Sequence, residues 1–209
     1  MENLSNVFED FAAAFGENPE LCFNFGLIVL LRRNPPLLRA FLRWIEDSSG
    51  LHLDPEITWL IYGERQVNRR RRIFPDMVLA SPTLELWFEH KLGSKLKKDE
   101  LRRYVEECYL QMHEGEAIPL IDPAGFSPLP DRPRIVVFVI SGVNQVIPED
   151  LREWQKQFAK LGCGLAWCGS AGYLRCRDFL PYIRLALTEL TGFDAVMAEH
   201  FVGWVATRC

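Results

Sequence analysis

The sequence predicts an α/β fold with a mixed central sheet flanked by helices and with helical extensions at both ends. Three observations carry this. Helix-like and strand-like apolar patterns follow one another as helices, three strands, helix, strand, helix, strand, helices. Two of the strand-like runs are separated only by Ser81-Pro82-Thr83, a turn so short that they must be antiparallel neighbours. The most apolar run, Ile135-Val136-Val137-Phe138-Val139-Ile140, reads as a central strand buried on both faces.

Taken in order, residues 1–19 are acidic, with Phe8, Phe11 and Phe15 at near-helical spacing. That spacing predicts a short amphipathic helix packed on the domain, or on a second subunit of a homodimer. Residues 20–33 read as a strongly apolar helix stopped by Pro35-Pro36, which opens another over 37–45 with Leu38, Phe41, Leu42 and Ile45 in one stripe. Arg39 and Arg43 fall on its opposite, solvent-facing side. Residues 57–67 alternate and carry β-branched and aromatic residues, giving a first strand with Glu64 late in it. A second strand spans 73–80, and a third ends at Lys91 before Gly93-Ser94.

A helix follows over 98–113, with Asp99 as N-cap and Leu101, Tyr104, Val105, Cys108 and Met112 on its buried face. Residues 118–133 form a proline-rich loop that either covers a site, contacts a partner or is simply ordered. Beyond it come a strand over 134–143, a helix over 148–161, a short strand over 163–169 and helices over 177–190 and 193–205. The expected organisation is one domain, 1–209: an extension (1–19), a core (about 20–170) and C-terminal helices (171–209).

Chemistry concentrates between residues 73 and 104. Side chains alternate faces along a strand, so Glu85, Trp87, Glu89 and Lys91 point one way, while Leu84, Leu86, Phe88 and His90 point the other. Asp76, on the adjacent strand, can reach the face that carries Glu89 and Lys91. Two carboxylates and an ammonium on one sheet face suffer repulsion and desolvation unless something compensates them. A hard divalent cation does so: Mg²⁺ takes carboxylate oxygens, keeps several waters and binds phosphate, and the lysine can neutralise developing phosphate charge or orient the attacking water. The competing reading is bland. Asp76 would be a turn carboxylate, Glu89 and Lys91 an ion pair on an edge strand, and His90 a packed, hydrogen-bonded core histidine.

Pro75-Asp76 followed by Glu89-His90-Lys91 resembles the signature of the PD-(D/E)XK nuclease superfamily, over roughly residues 20–145. The resemblance implies a restriction-endonuclease-like αβββαβ core. It makes Asp76, Glu89 and Lys91 the catalytic residues, with Asp76 and Glu89 as ligands of Mg²⁺ or Mn²⁺ and Lys91 as the catalytic lysine. The family often carries Gln-x-x-x-Tyr on the next helix, where this chain has Glu100 to Tyr104. Similar proteins also carry an early-helix glutamate beside the metal; here that position falls near Phe25, which leaves Glu64 as the further candidate ligand. The implied activity is hydrolysis of phosphodiester bonds, in DNA. The alternative is a nuclease-fold binding or assembly subunit without catalysis, motivated by Phe25 and Glu100.

Composition is compatible with that reading once it is resolved along the chain. The formal net charge is −4, yet between Tyr62 and His113 eleven basic residues face eight acidic ones, a local surplus of +3. Arg70, Arg71, Arg72, Lys95, Lys98, Arg102 and Arg103 are the candidate nucleic-acid contacts, although such runs also serve as ordinary solvated faces. The 209 residues hold six cysteines without a Cys-x-x-Cys pair, which argues against a zinc site or a disulfide scaffold. No apolar run reaches the ~18 residues of a membrane span and no basic leader opens the chain, so a cytoplasmic protein without membrane contact is expected. Neither a Gly-rich phosphate loop nor a Gly-x-Ser-x-Gly elbow is present.

Overall fold

The computed structural model describes residues 7–14, 18–63, 74–92, 103, 134–140 and 174–208. Three helices come first: α1 (Val7–Ala14), α2 (Pro19–Arg33) and α3 (Pro35–Ser49). Strands β1 (Leu60–Gly63), β2 (Met77–Ala80), β3 (Glu85–Lys91), β4 (Arg134–Ile140) and β5 (Leu174–Arg175) follow, and then helices α4 (Cys176–Leu187) and α5 (Gly192–Arg208).

Local chemistry sets the helix ends. The Asn18 side chain accepts from the backbone N–H groups of Glu20 and Leu21, both at 3.1 Å, and Pro19 fills the first position of α2, where no N–H is needed. Asn34 is the corner between two helices: its N–H donates back to the Leu30 carbonyl, and its own carbonyl accepts from Leu38. Gly50, at φ 72°, closes α3 in the left-handed conformation that glycine adopts without strain.

The five strands lie in sequence order. Pairs β1–β2 and β2–β3 are antiparallel, while β3–β4 and β4–β5 are parallel, so the sheet is mixed and β3 is its middle strand. The β2–β3 turn closes on Ser81, whose N–H donates to the Leu84 carbonyl and whose hydroxyl accepts from the N–H groups of Thr83 and Leu84.

Leu86 and Phe88 of β3, Met77 and Leu79 of β2 and Ile61 of β1 face a helical layer and join its core. Phe41 of α3 is central there, with ring centroids 5.5 Å from Trp44, 5.4 Å from Phe88 and 5.2 Å from Phe179 of α4. Helix α1 seats Phe8 against Gly26 of α2, where an added methyl group would collide with the Phe8 ring and touch Phe201 of α5. Exposed ion pairs, Arg33–Asp194 and Glu9–Arg208, link these helices at their rims, each contributing about 0–1 kcal/mol. The opposite sheet face, with Val78, Glu85, Trp87, Glu89 and Lys91, is buried as well.

The mixed α/β class and the early helices match expectation, and Arg39 and Arg43 are exposed as expected. Boundaries move for local reasons. The first strand begins at Leu60 rather than 57, because Ile57 lies in a bend held by the Trp59 indole, which donates to the Asp54 carbonyl at 2.9 Å. The second begins at Met77 rather than 73: Pro75 has no N–H for a ladder, and Asp76 is turned to a side-chain hydrogen bond. β5 was not expected, since two residues leave no readable pattern. Of the helix expected over 98–113 only Arg103 is described, in helical backbone. The loop at 118–133, the helix at 148–161 and the strand at 163–169 lie outside the described residues. Among the described residues, no helix is long and apolar enough to cross a membrane.

Candidate active site

β3 presents Glu89 and Lys91 on the face away from the helical layer. Their side chains form an ion pair of 2.5 Å, and both residues are buried, 4% and 7% exposed. This excludes the picture of an ion pair on an edge strand, since β3 is flanked on both sides and the charges lie inside. Removing two charges from water is costly even when they are paired, so the pair is not explained as a source of stability.

Asp76 reaches the same stretch from the bend just ahead of β2, one residue before the Met77–Phe88 pair that begins the β2–β3 ladder. Its Oδ2 accepts from the backbone N–H of His90 at 2.7 Å, a short charge-assisted bond. The acid ahead of one strand is thereby fixed to the residue between Glu89 and Lys91 on the next.

His90 itself points the other way and is fully buried. Its Nδ1 pairs with Asn24 Oδ1 on α2, and the ring packs edge-on against Phe23 at 4.9 Å. Burial, with the Lys91 charge adding to it, pushes the imidazole pKa down to about 3, so the ring is neutral. Its Nε2 has no hydrogen-bond partner.

A further acid escaped the sequence reading. Glu20, in the first turn of α2, accepts the Leu92 N–H at 3.0 Å, so its carboxylate sits at the end of β3, one residue past Lys91. The early-helix position that the resemblance assigns to an acid falls near Phe25, which is exposed. The missed signal was spacing: Glu20 and Asn24 are four apart and share one face of α2.

Of the other candidates, Arg103 is exposed. Glu64, Arg70, Arg71, Arg72, Lys95, Lys98 and Arg102 lie outside the described residues, as do Glu100 and Tyr104. Among the described residues no group of three or more His, Cys, Asp or Glu side chains is placed to hold a metal ion. A separate cleft of about 360 Å³ between α2 and β1 is lined by Arg32, Trp59 and Tyr62 and by none of these groups. There the Arg32 guanidinium caps the Ile61 carbonyl of strand β1.

No protein-family model, curated protein or solved structure matches this chain.

Proposed function

We propose that this chain is a Mg²⁺- or Mn²⁺-dependent nuclease with a restriction-endonuclease-like core, hydrolysing phosphodiester bonds in DNA. The observation that carries the reading is the placement of Asp76 against the Glu89-His90-Lys91 stretch, inside a mixed sheet. The order of helices and strands and the Pro75-Asp76 motif are in keeping with it.

Asp76 and Glu89 would hold the cation, with Glu20 nearby at the strand end. When bound, the ion supplies Lewis-acid polarisation of the phosphoryl oxygen and lowers the pKa of its water. The His90 N–H keeps the Asp76 carboxylate aimed. Lys91, held at Glu89, presents an ammonium that offsets charge developing on the phosphate and orients the attacking water. Burial strengthens both effects, because little water screens them. Arg103, with the arginine and lysine runs around the motif, would contact neighbouring phosphates.

A second reading has its own support. Lys91 already compensates Glu89, and among the described residues no group of three or more His, Cys, Asp or Glu is placed to hold a metal ion. On that reading the chain is a nuclease-fold binding or assembly subunit without catalysis. Titration calorimetry with Mn²⁺ separates the two: the nuclease binds the ion and loses it in Asp76→Asn, whereas heat that is absent in both proteins favours the binding subunit.

A further inference from the structure

Helix α2 meets β3 through two polar contacts with matched spacing. Glu20 and Asn24 stand one turn apart on the helix; His90 of the strand and Leu92, one residue past its end, stand two apart. Glu20 Oε1 accepts the Leu92 N–H at 3.0 Å, and Asn24 Oδ1 pairs with the His90 ring. The His90 backbone N–H in turn holds Asp76.

We propose that these contacts form a clamp that sets the position of the acidic cluster, and that Asn24 is a positioning residue acting through His90. The chemistry it serves rests on the nuclease reading above, whereas the clamp rests on the contacts themselves. His90 is the joint: its ring is fixed to the helix and its backbone to Asp76, so a tilt of the ring moves the amide that aims the carboxylate. Packing does not account for the arrangement. Asn24 and His90 are buried beside Phe23 and Phe88, and the ring nitrogen Nε2 is left unpaired. An apolar pair of similar volume would fill the space without an unsatisfied polar atom. What the polar pair adds is a unique alignment of helix and strand. Residues that orient metal-binding side chains typically alter metal affinity 10–100-fold when replaced.

The test compares the whole chain with Asn24→Leu/His90→Phe, which exchanges the polar pair for an apolar one, and with Asn24→Ala should the double variant not fold. Three quantities are read: the melting temperature, hydrogen exchange of the residue 90 and Leu92 amides, and Mn²⁺ affinity by calorimetry. The clamp predicts a variant that stays folded, exchanges at the residue 90 amide about tenfold faster, and binds Mn²⁺ at least about tenfold more weakly. Unchanged Mn²⁺ affinity, whatever happens to the melting temperature, assigns Asn24 to packing and overturns the proposal. Should the wild-type chain take up no Mn²⁺, the nuclease reading fails, and the exchange rate alone decides the clamp: faster exchange supports it and an unchanged rate overturns it.

Discussion

The Asp76 carboxylate is bound 2.7 Å from the backbone N–H of His90. One residue of β3 thus holds the acid of the bend ahead of β2, while its neighbours Glu89 and Lys91 form an ion pair with each other. Because the contact uses backbone on one side, it depends on strand register, and a slip by one residue would turn Glu89 and Lys91 into the helical layer.

Two substitutions at residue 76 separate structure from chemistry. Asp76→Ala removes the acceptor of a partly buried amide and is expected to cost about 1–3 kcal/mol in urea unfolding. Asp76→Asn keeps an oxygen in place and should lose less than half of that. Both are expected to abolish Mn²⁺ binding. Equal stability losses in the two variants would show that the His90 amide does not depend on this side chain.

The buried Glu89–Lys91 pair predicts strong non-additivity. Glu89→Gln or Lys91→Met alone breaks the 2.5 Å pair and leaves the other charge buried, at about 3–5 kcal/mol. The double variant Glu89→Gln/Lys91→Met removes both charges and is expected to recover most of that loss. A double-mutant cycle in denaturant measures the coupling; additive losses would mean that the two charges do not sense each other.

Acid lability should trace in part to His90. The folded ring is held neutral, with its pKa near 3 against an ordinary value of 6.5, so the unfolded chain takes up a proton that the folded one refuses. Its contribution is full above pH ~6.5 and is lost as pH falls toward ~3, with a slope approaching 1.4 kcal/mol per pH unit. Between pH 6 and 4, stability of Asn24→Leu/His90→Phe should fall less steeply than wild type by about 1 kcal/mol per unit. Parallel slopes would place the acid sensitivity elsewhere.

Gly26→Ala tests how α1 is held. Alanine would favour the helix by about 1 kcal/mol, but its methyl group meets the rings of Phe8 and Phe201. Overpacking costs about 1–3 kcal/mol, so the expected net effect is destabilisation, with faster proteolysis within α1. A more stable variant would mean that α1 does not rest on α2.

How much of this was legible in the sequence follows from which interactions are local. Alternation placed Glu89 and Lys91 on one face and His90 on the other, because the strand period is fixed by backbone geometry. The tight Ser81-Pro82-Thr83 turn gave the β2–β3 pairing, and Pro35-Pro36 marked the break between α2 and α3 because proline has no N–H to continue a helix. What could not be read was long-range. The bond between Glu20 and Leu92 spans 72 residues, and the Asn24–His90 pair spans 66; neither leaves a mark in local composition. The central place of β3 was equally hidden, since it depends on β4, more than 40 residues further on, pairing along its second edge.

The most direct measurement is cleavage of supercoiled and linear DNA by the purified chain with Mg²⁺ or Mn²⁺, beside Asp76→Asn and the charge-free Glu89→Gln/Lys91→Met. The predicted result is metal-dependent cleavage by the wild-type protein that is absent in both folded variants. Cleavage that persists in both, or a folded wild-type protein that leaves DNA intact with either metal, would contradict it.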